Sequence, residues 1–73
     1  MEELLEILNE INSDIDYENE KALIDDGLLD SLDVVALVSE LNDHYEIEIG
    51  LDDLIPENFN SLEAIQALIE KLK

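Results

Sequence analysis

Apolar residues recur at intervals of three and four along three separate stretches of the chain, and this spacing constrains the fold more than any other feature. The stretches run from residue 2 to about 12, from 31 to 45, and from about 61 to 72. In each of them most of the apolar side chains fall on one side of an α-helix. The apolar faces of the first and last helices contain Leu4, Ile7, Leu8 and Ile11, and Leu62, Ile65, Leu68, Ile69 and Leu72.

Between the first two helices, the stretch from Ser13 to Asp30 lacks helical spacing but is too apolar for a solvated linker. We expect a long loop that packs on the core, and such loops are often functional. We also expect a loop at residues 46–50, because a lone strand has nothing to pair with. Asp52 to Ile55, closed by Pro56, should form at most one or two helical turns. The last helix should be capped by Asn60 or Ser61, with Glu63 supporting the cap.

The expected architecture is therefore all-α: a four-helix bundle with three main helices, one short helix and a long first loop, forming a single domain of residues 1–73. A chain this short buries only about 60% of its unfolded surface, so a large enclosed active site is not expected. The sequence contains no cysteine, and His44 has no partner at catalytic spacing. We predict neither catalytic residues nor a metal site, and hence a protein that is not an enzyme.

The charge is strongly negative, with 21 acids against three lysines and a net charge of −18. Coulomb repulsion excludes nucleic acids and anionic membranes as partners and favours partners with basic patches. No apolar run approaches the roughly 20 residues of a membrane span. Met1, Glu2 and Glu3 are not the basic start of a signal peptide. We therefore expect a cytoplasmic monomer.

Ser31 stands at the first turn of the middle helix, directly after the long loop. Asp30 can cap this turn, and Asp33 complements the positive end of the helix dipole. Free backbone N–H groups at this end favour an anion, so a phosphodiester on the Ser31 oxygen would be well placed. A serine that only belongs to the cap fits the same position, and the local chemistry leaves both interpretations open.

Rotation of about 100° per residue divides the middle helix into a core face and a solvent face. The core face contains Val34, Leu37, Val38, Leu41 and Tyr45. Leu32 and Ala36 point to the opposite side, and Val35 lies beside Ser31. Apolar side chains are therefore expected in solvent around Ser31.

The segment 27–32, Gly-Leu-Leu-Asp-Ser-Leu, resembles the phosphopantetheine attachment motif of acyl carrier proteins, in which an aspartate, the modified serine and a Leu or Met follow one another. Residues 33–41 resemble the second helix of that family, 45–49 the loop after it, and 59–65 the start of its last helix. The similarity extends from about Leu4 to Leu72. The motif in this register, within a short acidic chain, is specific for the family.

This resemblance implies a carrier that holds cargo as a thioester and delivers it to partner enzymes. Ser31 would receive a covalent 4′-phosphopantetheine arm, which a phosphopantetheinyl transferase takes from coenzyme A, and Asp30 would help to hold the magnesium of that transferase. Partner enzymes would dock on the exposed side of the middle helix. The docking residues implied in this way are Leu32, Val35, Ala36, Ser39, Glu40 and Asp43.

The cargo is less clearly defined. Carriers of fatty-acid synthesis usually have an acid and a Met-like residue where this chain has Ala36 and Ser39. The run before Ser31 also resembles aminoacyl carriers of D-alanylation systems and peptide synthetases, whereas Asp33 and the excess of acids resemble the fatty-acid type. We predict an acyl carrier of fatty-acid or related metabolism that meets loading ligases and acyl-processing enzymes. The alternatives are an aminoacyl or D-alanyl carrier and an acidic adaptor in which Ser31 only caps a helix.

Overall fold

The computed structural model describes residues 2–73, and every regular element in that range is helical. Met1, part of the acidic N-terminal sequence, lies outside the described residues. The all-α prediction, with three main helices and one short helix, is confirmed. The elements in chain order are α1 (Glu2–Ile11), α2 (Ser31–Tyr45), a 3-10 turn (Leu51–Asp53), α3 (Pro56–Phe59) and α4 (Leu62–Leu72).

One cluster of buried apolar side chains receives residues from all four helices and from the segments between them. The predicted apolar faces of α1 and α4 are buried, with Ile11 and Leu72 packed at the edge. Ile47 and Ile49 hold the loop after α2 against the core, as expected for residues 46–50. The buried residues are Leu4, Ile7, Leu8, Tyr17, Leu23, Leu29, Leu37, Leu41, Ile47, Ile49, Phe59, Leu62, Ile65, Leu68 and Ile69.

The long loop between α1 and α2 packs on this core, as predicted. Tyr17, Leu23 and Leu29 are buried within it. The Tyr17 hydroxyl donates to the carbonyl oxygens of Leu8, at 2.9 Å, and Asn12, at 2.7 Å, which ties the loop to the end of α1. Burial raises the pKa of Tyr17 to about 12, so this donor keeps its proton under physiological conditions.

The start of α4 differs in part from the prediction. Ser61 is the cap, because its hydroxyl accepts a hydrogen bond from the backbone N–H of Ala64 at 3.1 Å. Glu63 lies in the first turn of α4, as predicted, and it also pairs with Lys21 of the long loop at 2.7 Å. Asn60 binds the same loop through its side chain. The roles of Asn60 and Glu63 were predicted from their neighbours in sequence, but the residues of the long loop that they bind are more than thirty positions away.

The prediction of at most one or two helical turns from Asp52 to Ile55 is met in part by the single 3-10 turn Leu51–Asp53. The prediction that Pro56 closes this segment is wrong, because Pro56 is the first residue of α3. Proline suits this position because its fixed φ is already helical and the first N–H groups of a helix have no partner within the helix. Phe59, at the other end of α3, is buried in the core.

Contacts between helices are most extensive within two pairs, α1 with α2 and α3 with α4. The long loop, which joins α1 to α2, and the segment 46–50, which follows α2, contribute residues to the shared core. Ser31 lies at the start of α2, beside the junction between the two helix pairs.

No helix in residues 2–73 is long and apolar enough to cross a membrane.

Candidate functional site

Ser31 is the first residue of α2, and the backbone on both sides of it is fixed by a reciprocal cap. The Asp30 carboxylate accepts a hydrogen bond from the backbone N–H of Asp33 at 2.8 Å. In return, the Asp33 carboxylate accepts from the backbone N–H of Asp30 at 3.3 Å. This capping box satisfies two donors that the helix itself leaves free, and it confirms the prediction that Asp30 caps α2.

The Ser31 side chain is exposed and takes no part in this cap. Within residues 2–73, its hydroxyl makes no hydrogen bond to another protein group. The interpretation of Ser31 as the capping side chain is therefore wrong, since Asp30 has that role. A free hydroxyl at the positive end of a helix can be modified by a group that carries negative charge.

The predicted docking residues share the solvent face of α2. Leu32 is 77% exposed and Val35 66% exposed, although both are apolar. Leu37 and Leu41, on the other side of the helix, are buried in the core. The structure thus brings the six predicted residues together on one side of the helix, where all are exposed; they are Leu32, Val35, Ala36, Ser39, Glu40 and Asp43.

An apolar cleft of about 340 Å³ opens beside Ser31, between the start of α2 and the segment that contains α3. Asp30 and Ser31 are its only polar lining residues. This cleft was not predicted, because its walls come from three separate stretches of the chain, at residues 24, 29–35 and 54–59. The apolar lining consists of Ile24, Leu29, Val34, Val35, Leu54, Ile55, Pro56 and Phe59.

A second cleft, of about 490 Å³, is lined mostly by polar and charged residues, namely Glu2, Glu3, Tyr45, Gln66 and Lys73. His44 lies 3.0 Å from Glu3 in an exposed pair, and this hydrogen bond lowers the pKa of the Glu3 carboxyl. His44 therefore joins the end of α2 to the start of α1. Across residues 2–73, no group of three or more metal-ligating side chains comes together.

Comparison with known proteins identifies the family. A family model described as "phosphopantetheine attachment site" matches residues 1–69, which include Ser31 and all the residues that line the cleft. Neither the curated proteins nor the solved structures contain a match to the chain. Domains of the matched family carry a covalently attached 4′-phosphopantetheine, are generally non-catalytic, and interact with transferases and processing enzymes.

The residues present fit such a group. Ser31 offers an exposed, unbonded hydroxyl at the start of a capped helix, and the cleft beside it is apolar. The family match covers almost the whole chain and confirms the carrier prediction over that of an acidic adaptor. The chain belongs to the family of phosphopantetheine-binding carrier proteins.

Proposed function

We propose that Ser31 is the attachment residue and that the protein carries acyl groups to partner enzymes. The observation that carries this proposal is the free hydroxyl of Ser31 at the capped start of α2, opening onto an apolar cleft. Asp30 fulfils the capping role, which leaves the serine oxygen available for chemistry.

In the attachment step, Ser31 Oγ attacks the phosphorus of coenzyme A that bears the pantetheine. A phosphodiester bond forms at Oγ, the pyrophosphate bond breaks, and adenosine 3′,5′-bisphosphate leaves. The hydroxyl proton passes to a base of the transferase. Asp30 uses Oδ1 for the cap, and its Oδ2 makes no hydrogen bond within residues 2–73, so this oxygen is free to face the magnesium of the transferase.

The attached arm supplies a terminal thiol that holds the cargo as a thioester. The protein itself contributes no cysteine, and its single histidine is engaged with Glu3 at 3.0 Å. Its own residues anchor, orient and shelter the cargo, while the partner enzymes perform the chemistry. The protein is on this account a carrier and not an enzyme.

The lining of the cleft supports acyl cargo over aminoacyl cargo. Eight of its ten residues are apolar, and Asp30 is the only one with a charge. An aliphatic chain gains about 25 cal/mol for each Å² of apolar surface that it buries there. The ammonium group of an aminoacyl cargo would lose water in the same place and find no partner deeper in the cleft, which is unfavourable.

Methyl NMR spectra of the protein loaded through a stable amide linkage distinguish these cargoes. We expect octanoyl cargo to shift the methyl signals of Val34, Leu54 and Ile55 relative to the unloaded holo protein. Alanyl cargo should leave them unchanged, and Ile7, which is buried in α1 away from the cleft, serves as the internal control. Shifts with the alanyl and not the octanoyl form would favour the aminoacyl alternative.

The exposed side of α2 is the docking surface in this proposal. Leu32 and Val35 supply apolar contacts, and Glu40 and Asp43 attract basic side chains of the partner. Such docking is rapid, weak and sensitive to salt, because exposed charges are screened beyond about 10 Å at 0.1 M salt. This suits a carrier that must leave one enzyme to reach the next.

The docking role is tested by replacing Glu40 with glutamine and measuring KM and kcat for phosphopantetheinyl transfer. We expect KM to rise and kcat to stay close to the wild-type value. Glu10→Gln changes the net charge equally but lies on α1, where the side chain is also exposed. An equal rise in KM for both variants would show that overall charge, and not this surface, attracts the transferase.

A further inference from the structure

The cleft beside Ser31 has two walls that belong to different halves of the fold. Ile24 and Leu29 of the long loop, with Val34 and Val35 of α2, form one wall. The segment from Leu54 to Phe59 forms the other and is continuous with α4. Because contacts between helices are concentrated within α1–α2 and α3–α4, the cleft lies where the two pairs meet.

Asn60 follows Phe59 of one wall and is hydrogen-bonded to Ile24 of the other. Its backbone oxygen accepts from the N–H of Leu23 at 2.8 Å. Its side-chain oxygen accepts from the N–H groups of Ile24, at 3.0 Å, and Asp25, at 3.1 Å. Its amide nitrogen donates to the Asp25 carboxylate at 3.1 Å. One residue, next to the buried Phe59, thus holds three consecutive residues of the long loop, of which Ile24 lines the opposite wall.

Apart from Asn60, the two walls have no comparable connection among the described residues. Within residues 2–73, no hydrogen bond joins the segment 51–59 to α2 or to the long loop. The polar contacts of this segment are internal, as between Asn58 and Asp53, or lead to the adjacent Gly50 or to Lys71 of α4. Leu54 is 39% and Ile55 42% exposed, so little packing holds this part of the wall.

We propose that Asn60 is a positioning residue that closes the inner end of the cleft and thereby sets the length of acyl chain that the protein shelters. This inference rests on the proposed acyl-carrier function. A chain that enters from Ser31 displaces the loosely held wall at Leu54 and Ile55, whereas Ile24 and Phe59 stay together. Parting them would break the bonds of Asn60 and leave the half-buried N–H of Ile24 without its partner, which is costly.

The test measures how strongly the protein protects its cargo from a small nucleophile. Holo protein is loaded with even-numbered chains from butanoyl to hexadecanoyl, and the rate of thioester cleavage by hydroxylamine is measured for each. For the wild type we expect protection to rise with chain length and then to level off. In Asn60→Ala this levelling should move to longer chains, and cleavage of the shorter chains should become about tenfold faster, as expected when one or two hydrogen bonds are lost.

A charge-neutral rescue separates this role from a general loss of stability. In the double variant Asn60→Asp with Asp25→Asn, the new carboxylate at position 60 still accepts from the backbone N–H groups of residues 24 and 25. The amide at position 25 now donates to this carboxylate, which reverses the wild-type side-chain bond. The wild-type dependence on chain length should therefore return. Asn19→Ala removes an exposed amide that binds Asp16 in the same loop, away from the cleft, and should change nothing. If Asn60→Ala does not fold, Asn60→Asp alone takes its place, because it keeps the acceptor but repels Asp25.

The outcomes distinguish this inference from the proposed function. Failure of the wild type to accept the arm at Ser31 would overturn both. Normal attachment at Ser31, combined with the same length dependence in the wild type and the Asn60 variants, would overturn only the role of Asn60. The role of Asn60 would also be overturned if the arm attaches to the wild type but its thioester is not protected from hydroxylamine at any chain length, since no chain would then enter the cleft.

Discussion

Two substitutions of Asp30 separate its role in the helix cap from its role in attachment. Asp30→Ala removes the oxygen that accepts from the N–H of Asp33 at 2.8 Å. Loss of such a cap costs about 1 kcal/mol of unfolding free energy. In a domain of this size, that loss lowers the thermal midpoint by roughly 4–8 °C. Asp30→Asn keeps a side-chain oxygen in the same place and caps almost as well, so its midpoint should stay near that of the wild type.

Attachment at Ser31 should respond differently. Both variants lack the carboxylate that we propose binds the magnesium of the transferase. Loss of an interaction with a charged group costs about 1.5–3 kcal/mol, which corresponds to a rate of transfer lower by roughly tenfold to a hundredfold. Asp30→Asn is therefore expected to be stable but slowly modified.

Circular dichroism gives the thermal midpoint, and intact mass at timed intervals gives the rate of modification. Glu10→Gln, which removes an equal charge from an exposed position on α1, is the control for net charge. A midpoint for Asp30→Asn as low as that of Asp30→Ala would refute the capping argument. Modification of Asp30→Asn at the wild-type rate would refute the role in attachment.

Two further predictions concern stability. Lys21 lowers the pKa of Glu63 through their hydrogen bond. A carboxyl group whose pKa is lower in the folded than in the unfolded protein stabilises the fold at pH values above the unfolded pKa. This contribution disappears as the pH falls through the folded pKa. In urea at neutral pH, Lys21→Met should therefore have a lower free energy of unfolding than the charge-matched Lys71→Met, and the difference should shrink below about pH 4. A difference that does not change with pH would contradict the assignment to the Lys21–Glu63 pair. Glu46 has a positive φ of 54°, so Glu46→Gly should raise the unfolding free energy by about 0.5–1 kcal/mol in urea, whereas Glu48→Gly should not.

Helix α2 could be predicted to the residue because its signals are local. Asp30 offers a cap, and the spacing from Val34 to Tyr45 defines the core face without knowledge of the rest of the fold. The exposure of Leu32 and Val35 followed from the same spacing. Each of these features depends on residues within one or two helical turns, so sequence alone was sufficient.

Features that depend on distant segments could not be predicted in this way. Pro56 can follow one helix or begin another, and the burial of Phe59 in the core accompanies the second outcome. Asn60 and Ser61 are both suitable caps, and the long loop engages Asn60. The cleft arises only when Ile24 meets α3 across the fold, so no local pattern indicates it.

Attachment of the arm to Ser31 is tested most directly by intact mass after incubation with coenzyme A, magnesium and a broad-specificity phosphopantetheinyl transferase. We predict one added phosphopantetheinyl group on the wild type and on Ser13→Ala, which alters another exposed serine, in the long loop. We predict none on Ser31→Ala, which should remain folded because this side chain is exposed and lies outside the cap. An unmodified, folded wild type beside a modified control carrier, or a modified Ser31→Ala, would contradict this account.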